Sequence, residues 1–234
     1  MTTLPLLLVT LGTRLKDAEG IITSAERELA LHEAVKDLSR FRPRILVGDI
    51  VGNGTKLYSL PAAWVVDVSS MESVEFPTGT DPLTYLEDTD WTLYRSSSTV
   101  VQLRLTVDTP NASQTMRLTF TAPHTLGNTP ATTTLTTQDE EPVLNKAASL
   151  ACTWLAAYYA QQGQASLAAD VTNHESKSRQ YRDLARDFQQ LYDQALGINS
   201  KDGMAPLQAA SAVLDWDMSY PWGEDRLTHP RRWY

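Results

Sequence analysis

The sequence predicts an α+β protein: a three-helix bundle, built from one helix and a later helical hairpin, with an inserted antiparallel β-module and an extended C-terminal arm. Three observations carry this. Residues 139–196 repeat their apolar side chains three and four apart, the spacing that lines one face of a helix. Residues 45–122 are instead enriched in Thr, Val, Tyr and Trp, with turn residues at short intervals. After Gly197 the chain becomes rich in aromatic residues and proline. The expected divisions are 1–43 for the first bundle helix, 44–123 for the β-module, 124–196 for a loop and the hairpin, and 197–234 for the arm.

The segment up to Lys16 reads as a short helix or an extended piece, followed by a loop through Gly20. A firmer helix runs from about Ser24 to Arg42, with Ala25, Leu29, Leu31, Val35, Leu38 and Phe41 as its buried stripe. Pro43 stops it. Arg40, Arg42 and Arg44 form a small basic knot there, available to a neighbouring protomer or partner; cations also favour a helix C-terminus for dipole reasons alone.

Strands are expected near 45–51, 55–60, 65–75, 91–95, 100–107 and 115–121, with Gly52-Asn53-Gly54 as a hairpin turn because these residues accept positive φ. Val101, Leu103, Leu105 and Val107 alternate with Gln102, Arg104 and Thr106, so one sheet face is wet, and Met116, Leu118 and Phe120 answer from the next strand. A Thr-rich loop from Pro123 to Glu141 leads into the hairpin. Its first helix buries Val143, Leu144, Ala147, Ala148, Leu150, Ala151, Leu155 and Tyr158, with alanines that let a neighbouring backbone come close. Its second helix presents Tyr181, Leu184, Phe188, Leu191 and Ala195 as a narrow seam, and Gln161-Gln162-Gly163-Gln164 makes the turn.

In the arm, Pro206–Leu214 is expected to form one short helix. Beyond it Trp216, Tyr220, Trp222, Trp233 and Tyr234 stand among Arg226, Arg231 and Arg232. Aromatic and Arg side chains are the usual anchors of buried interfaces, so docking into another chain is the favoured reading, with packing back onto the bundle as its rival.

Composition and motifs point away from chemistry. A net charge of −8 argues against a sequence-independent grip on nucleic acid. The lone Cys152 sits on an apolar helix face, and Leu4–Leu11 is too short for a membrane span. His32-Glu33 begins like a zinc-protease motif, but Lys36 stands where the second histidine belongs. Glu72, Glu75, Asp81, Glu87, Asp88 and Asp90 lack calcium-loop spacing and read as a solvated rim. No catalytic residue, metal or cofactor is expected.

The run Leu38-Ser39-Arg40-Phe41-Arg42-Pro43 resembles the "YSR-x-x-P" end of the opening helix in head–tail connector (adaptor) proteins of tailed bacteriophages, with Leu38 where an aromatic residue is usual. Leu60-Pro61-Ala62-Ala63-Trp64 is similar to that family's "LP-x-x-W" step, and Thr119-Phe120-Thr121-Ala122-Pro123-His124 to its closing strand. Ala156-Ala157-Tyr158-Tyr159-Ala160 and Ser176-Lys177-Ser178-Arg179-Gln180-Tyr181 resemble its paired helices. The likeness covers roughly residues 24–196; the arm departs from it. It implies a non-enzymatic virion protein of the neck, assembled in the host cytoplasm as a ring, twelve-fold in expectation. The ring would sit beneath the portal protein, grip it through the arm and meet the next neck or tail component, while DNA passes the lumen without specific binding. Two other readings compete. One is a β-module binding carbohydrate or protein, with Trp64, Tyr85, Trp91 and Tyr94 as a stacking surface; the other is a stopper or tail-completion ring.

Overall fold

The computed structural model describes residues 3–17, 20–162 and 171–198. They form an α+β fold of helices and two small antiparallel sheets. Among the described residues there are four α-helices: the three of the expected bundle and the N-terminal segment, which takes the helical one of its two expected forms. Helix α1 (Leu4–Leu15) carries proline in its first turn, where a missing N–H is harmless, and stops at Lys16 in the left-handed conformation. Its buried Leu4, Leu7, Leu11 and Leu15 recur three and four apart.

Helix α2 (Ser24–Phe41) starts with a capping box: the Thr23 hydroxyl accepts from the Glu26 N–H at 3.2 Å, and the Glu26 carboxylate accepts from the Thr23 N–H at 2.7 Å. Its buried face is Ala30, Leu31, Ala34, Val35 and Leu38. Ala25 and Leu29, expected inside, point outward, because α1 and α3 both pack on the alanine side where backbones approach closely.

Helix α3 (Thr137–Gln162) touches α1, α2 and α4 and is enclosed for most of its length. Ala147, Ala148, Ala151 and Leu155 are fully buried. Gln161 and Gln162 extend this helix instead of opening the turn. The helix begins at Thr137, inside the loop expected to reach Glu141, so Pro142 lies buried within it; the carbonyl that loses a partner belongs to Gln138, near the exposed helix start.

Helix α4 (Val171–Leu196) keeps part of the predicted seam, with Tyr181 and Phe188 packed against the helical core, and corrects the rest. Ser178, Ala185, Tyr192 and Leu196 are buried, while Leu184 and Leu191 are exposed and Ala195 faces out. The cause is close approach: the Ser149 hydroxyl donates to the Ala185 carbonyl at 2.8 Å, and the Ser178 hydroxyl to the Ala156 carbonyl at 2.9 Å. A leucine at the contact would hold the backbones apart. The same register puts Tyr159 inside, stacked on Tyr181 at 5.5 Å, and leaves Tyr158 partly outside. A Schellman motif ends α4, with the Ile198 N–H donating to the Asp193 carbonyl at 2.8 Å and the Gly197 N–H to Gln194 at 3.0 Å.

The β part has strands β1 (Arg44–Val51), β2 (Leu57–Ser59), β3 (Met71–Glu75), β4 (Trp91–Arg95), β5 (Val101–Leu105) and β6 (Thr115–Ala122). One sheet has the order β1-β6-β3, the other β2-β5-β4. They share a core of Tyr58, Val74, Leu103, Leu105, Met116, Leu118 and Phe120, distinct from the helical core. Gly52-Asn53-Gly54 is therefore no hairpin turn: β1 pairs with β6 and β2 with β5, so this segment carries the chain between sheets. The Gly52 N–H donates to Gln114 and the Gly54 N–H to Pro110, each at 2.8 Å. Met116, Leu118 and Phe120 answer Leu103 and Leu105 across the core, not along a ladder. Residues 65–70, predicted as strand, form a turn in which the Ser69 N–H donates to the Val65 carbonyl and the Ser69 hydroxyl accepts from the Val65 N–H. Serine side chains that bond the local backbone compete with a ladder.

Candidate interaction surfaces

The junction between the helical and β parts gathers the polar groups that sequence spacing keeps apart. Ser39, buried at the end of α2, donates its hydroxyl to the Val35 carbonyl at 2.7 Å and accepts the His124 N–H at 2.9 Å. The His124 ring lies between two carbonyls, Arg42 at 2.9 Å and Thr134 at 3.2 Å. Arg42 itself reaches Asp139 at 3.2 Å and the Ala195 carbonyl at 3.5 Å, tying the ends of α2 and α4 to the start of α3. The Asp139 side chain is almost wholly buried.

The basic knot is thus divided. Arg42 is committed to structure. Arg40 is exposed, with Asp37 at 3.9 Å, and Arg44 opens β1 half-buried. An open groove of about 800 Å³ runs between α2 and the 65–70 turn, with His32, Lys36 and Arg40 along one wall and Val68 opposite. Its carboxylate, Asp67, is paired with Arg95.

Strand β1 presents a second surface. It is an edge strand, and Ile45, Val47 and Val51 on its outer face are 67%, 61% and 61% exposed. Between them Asp49 accepts from Arg117 at 2.9 Å and 3.3 Å, and this guanidinium holds the carboxyl below its ordinary range. No signal short of the strand pairing marks this edge in the sequence.

The groups weighed for chemistry are placed otherwise. Cys152 is buried, and desolvation pushes its thiol up to about 11. Glu75, expected on a solvated rim, is buried and accepts the Gly79 N–H at 2.9 Å with Arg117 at 3.8 Å. The indole nitrogens of Trp64 and Trp91 are buried and both side chains pack, half-buried, against the β core; Tyr85 and Tyr94 are exposed. Tyr94 borders a shallow recess of about 370 Å³ with Lys56 and Arg104. Burial raises the Tyr192 phenol well above its ordinary range, and the Asp37 carboxylate adds to this. Among the described residues no three metal-ligating side chains converge, and no helix is long and apolar enough to cross a membrane. Trp216, Tyr220, Trp222, Arg226, Arg231, Arg232, Trp233 and Tyr234 lie outside the described residues, as does the short helix expected at 206–214.

No protein-family model matches the chain, and no curated protein matches it. Among solved structures it is similar to a chain in the neck of an empty GTA particle computed with C6 symmetry: 14% identity, 75% of this chain and 88% of that one, TM-score 0.29. It is similar also to a chain in the neck of a native GTA particle computed with C12 symmetry: 16% identity, 78% and 92% coverage, TM-score 0.27. A chain from the virion of a native gene transfer agent (GTA) particle gives 15% identity, 69% and 78% coverage, and TM-score 0.26. At these TM-scores the likenesses carry no functional argument.

Proposed function

We propose that the chain is a non-enzymatic connector of a tailed-phage neck, joining the DNA-filled head to the tail as a ring beneath the portal. The observation that supports this reading most is where the family-like runs fall. Leu38–Pro43 and Thr119–His124 meet at the Ser39–His124 contact of 2.9 Å, and Trp64 of the LP-x-x-W step lies 5.8 Å from Phe120 of the closing strand. Two of the family-like runs, 38–43 and 60–64, thus each contact the closing segment 119–124. Within a ring, heterologous side-to-side contacts close on themselves, and repetition multiplies each weak contact. The net charge of −8 suits a lumen that DNA traverses without sticking. A division at residues 43, 123 and 196 fits this reading, with the bundle as ring wall, the β-module towards neighbours or the next tail component, and the arm as the portal grip.

The test is deletion of residues 215–234. The truncated protein keeps its helical circular dichroism and loses portal binding; retained binding overturns arm docking. Trp222→Ala weakens attachment by about 2 kcal/mol or more, as truncation of a buried aromatic anchor does.

A further inference from the structure

The outer edge of β1 is a long, flat, apolar strand edge, and the described residues leave it uncovered. It runs eight residues, about 26 Å, and among the described residues no backbone group of 44–51 bonds outward on that side. Proteins cover such edges, charge them or keep them short, because open N–H and C=O groups template pairing. The three exposed side chains here are Ile45, Val47 and Val51, broken only by the Asp49–Arg117 pair.

The chain carries a segment of matching length and pattern. In the nine residues Leu214–Trp222, Leu214, Trp216, Met218, Tyr220 and Trp222 alternate with Asp215, Asp217, Ser219 and Pro221. Strict alternation is the mark of a strand with one apolar face. Pro221 lies near the end, where an added strand still has one unpaired edge to receive it. The acids also find partners: the edge begins at Arg44, close in sequence to the exposed Arg40, while residues 214–225 hold four carboxylates and no base.

The point where the described chain ends decides which copy supplies this strand. Ile198 is packed on the helical core by the Schellman motif, and the Ala195 carbonyl receives the Arg42 guanidinium at 3.5 Å, two residues before β1 starts. Even with the helix expected from Pro206, residues 199–213 span up to about 35 Å, enough to lay the segment along β1 in either direction. A short tether gives the chain's own segment a high effective concentration at that edge.

We infer that residues 214–222 add as an outer strand to β1 of their own chain, covering Ile45, Val47 and Val51 and holding the aromatic arm in store. The inference concerns the chain alone and needs no portal. A partner that takes the arm must first peel it from β1.

Hydrogen exchange on the full-length protein, without portal, tests it. Peptides covering 44–51 and 214–222 are protected together, at a level that does not change with protein concentration. Met218→Pro, which removes a ladder N–H, and Val47→Lys, which puts a charge on the edge, each speed exchange in both peptides by about tenfold or more, while peptides of α3 stay protected. Free-peptide exchange across 214–222 in the unaltered protein overturns the inference. Protection that grows with concentration also overturns it, assigning the edge to a second copy.

Discussion

The Arg42 guanidinium donates to the Asp139 carboxylate at 3.2 Å, closing the end of α2 against the start of α3 over the buried acid. One bond between residues 97 apart in sequence thus fixes how the β part leaves and re-enters the bundle. Arg42→Ala lowers stability by about 2 kcal/mol, the scale of a hydrogen bond to a charged group. Arg40→Ala, two residues earlier on an exposed face, stays within about 0.5 kcal/mol. Urea denaturation of both variants checks the contrast, and equal losses would remove Arg42 from its structural role.

The register of α4 is tested by a pair. Tyr192 is fully buried beneath Lys146, whose ammonium lies 5.2 Å from the ring centre, so Tyr192→Ala destabilises by about 3–5 kcal/mol. Leu191→Ser, on the exposed side, changes stability by no more than about 0.5 kcal/mol. Thermal melts that reversed this order would restore the seam read from the leucines.

Gly52 is held by what surrounds it. A Cβ there would lie 2.3 Å from the Asn111 carbonyl oxygen and 2.5 Å from that of Pro110. Gly52→Ala therefore forces the 108–114 turn to move, at about 1–3 kcal/mol. Gly54 has φ +74° in open space, and Gly54→Ala costs about 1–2 kcal/mol through backbone strain alone. Denaturant midpoints separate the two, and only the first variant speeds hydrogen exchange at 108–114.

The Cys152 thiol stays neutral in the folded protein up to about 11, against about 9 when unfolded. The folded state binds the proton more tightly, so this group's contribution is full below about pH 9 and is lost as pH rises through about 11. Cys152→Ala removes that part of the alkaline decline. A thiol reagent at pH 8 labels the native protein only as fast as it opens; rapid labelling would contradict the burial.

Local signals made the firm elements legible. The apolar stripe and Pro43 mark α2 in the sequence itself, and the Val101–Leu105 alternation identifies the core face of β5. Helix α1 was harder, because Leu6, Leu8 and Val9 surround its buried Leu4, Leu7, Leu11 and Leu15 and blur the period. In α4 the leucines mislead, because leucine outweighs alanine by bulk, whereas the contact selects Ala185 for its smallness. Gly52-Asn53-Gly54 has the chemistry of a tight turn, yet its flanking strands β1 and β2 pair with β6 and β5, more than forty residues away in sequence, and no local pattern encodes that choice. The Arg40, Arg42 and Arg44 knot was visible as charge; that Arg42 belongs to Asp139 required the fold.

Electron microscopy of the purified chain mixed with the portal of its own particle tests the central proposal most directly. The account predicts a closed ring seated coaxially beneath the portal, lost on removal of residues 215–234. A protein that stays monomeric and leaves the portal bare would contradict it.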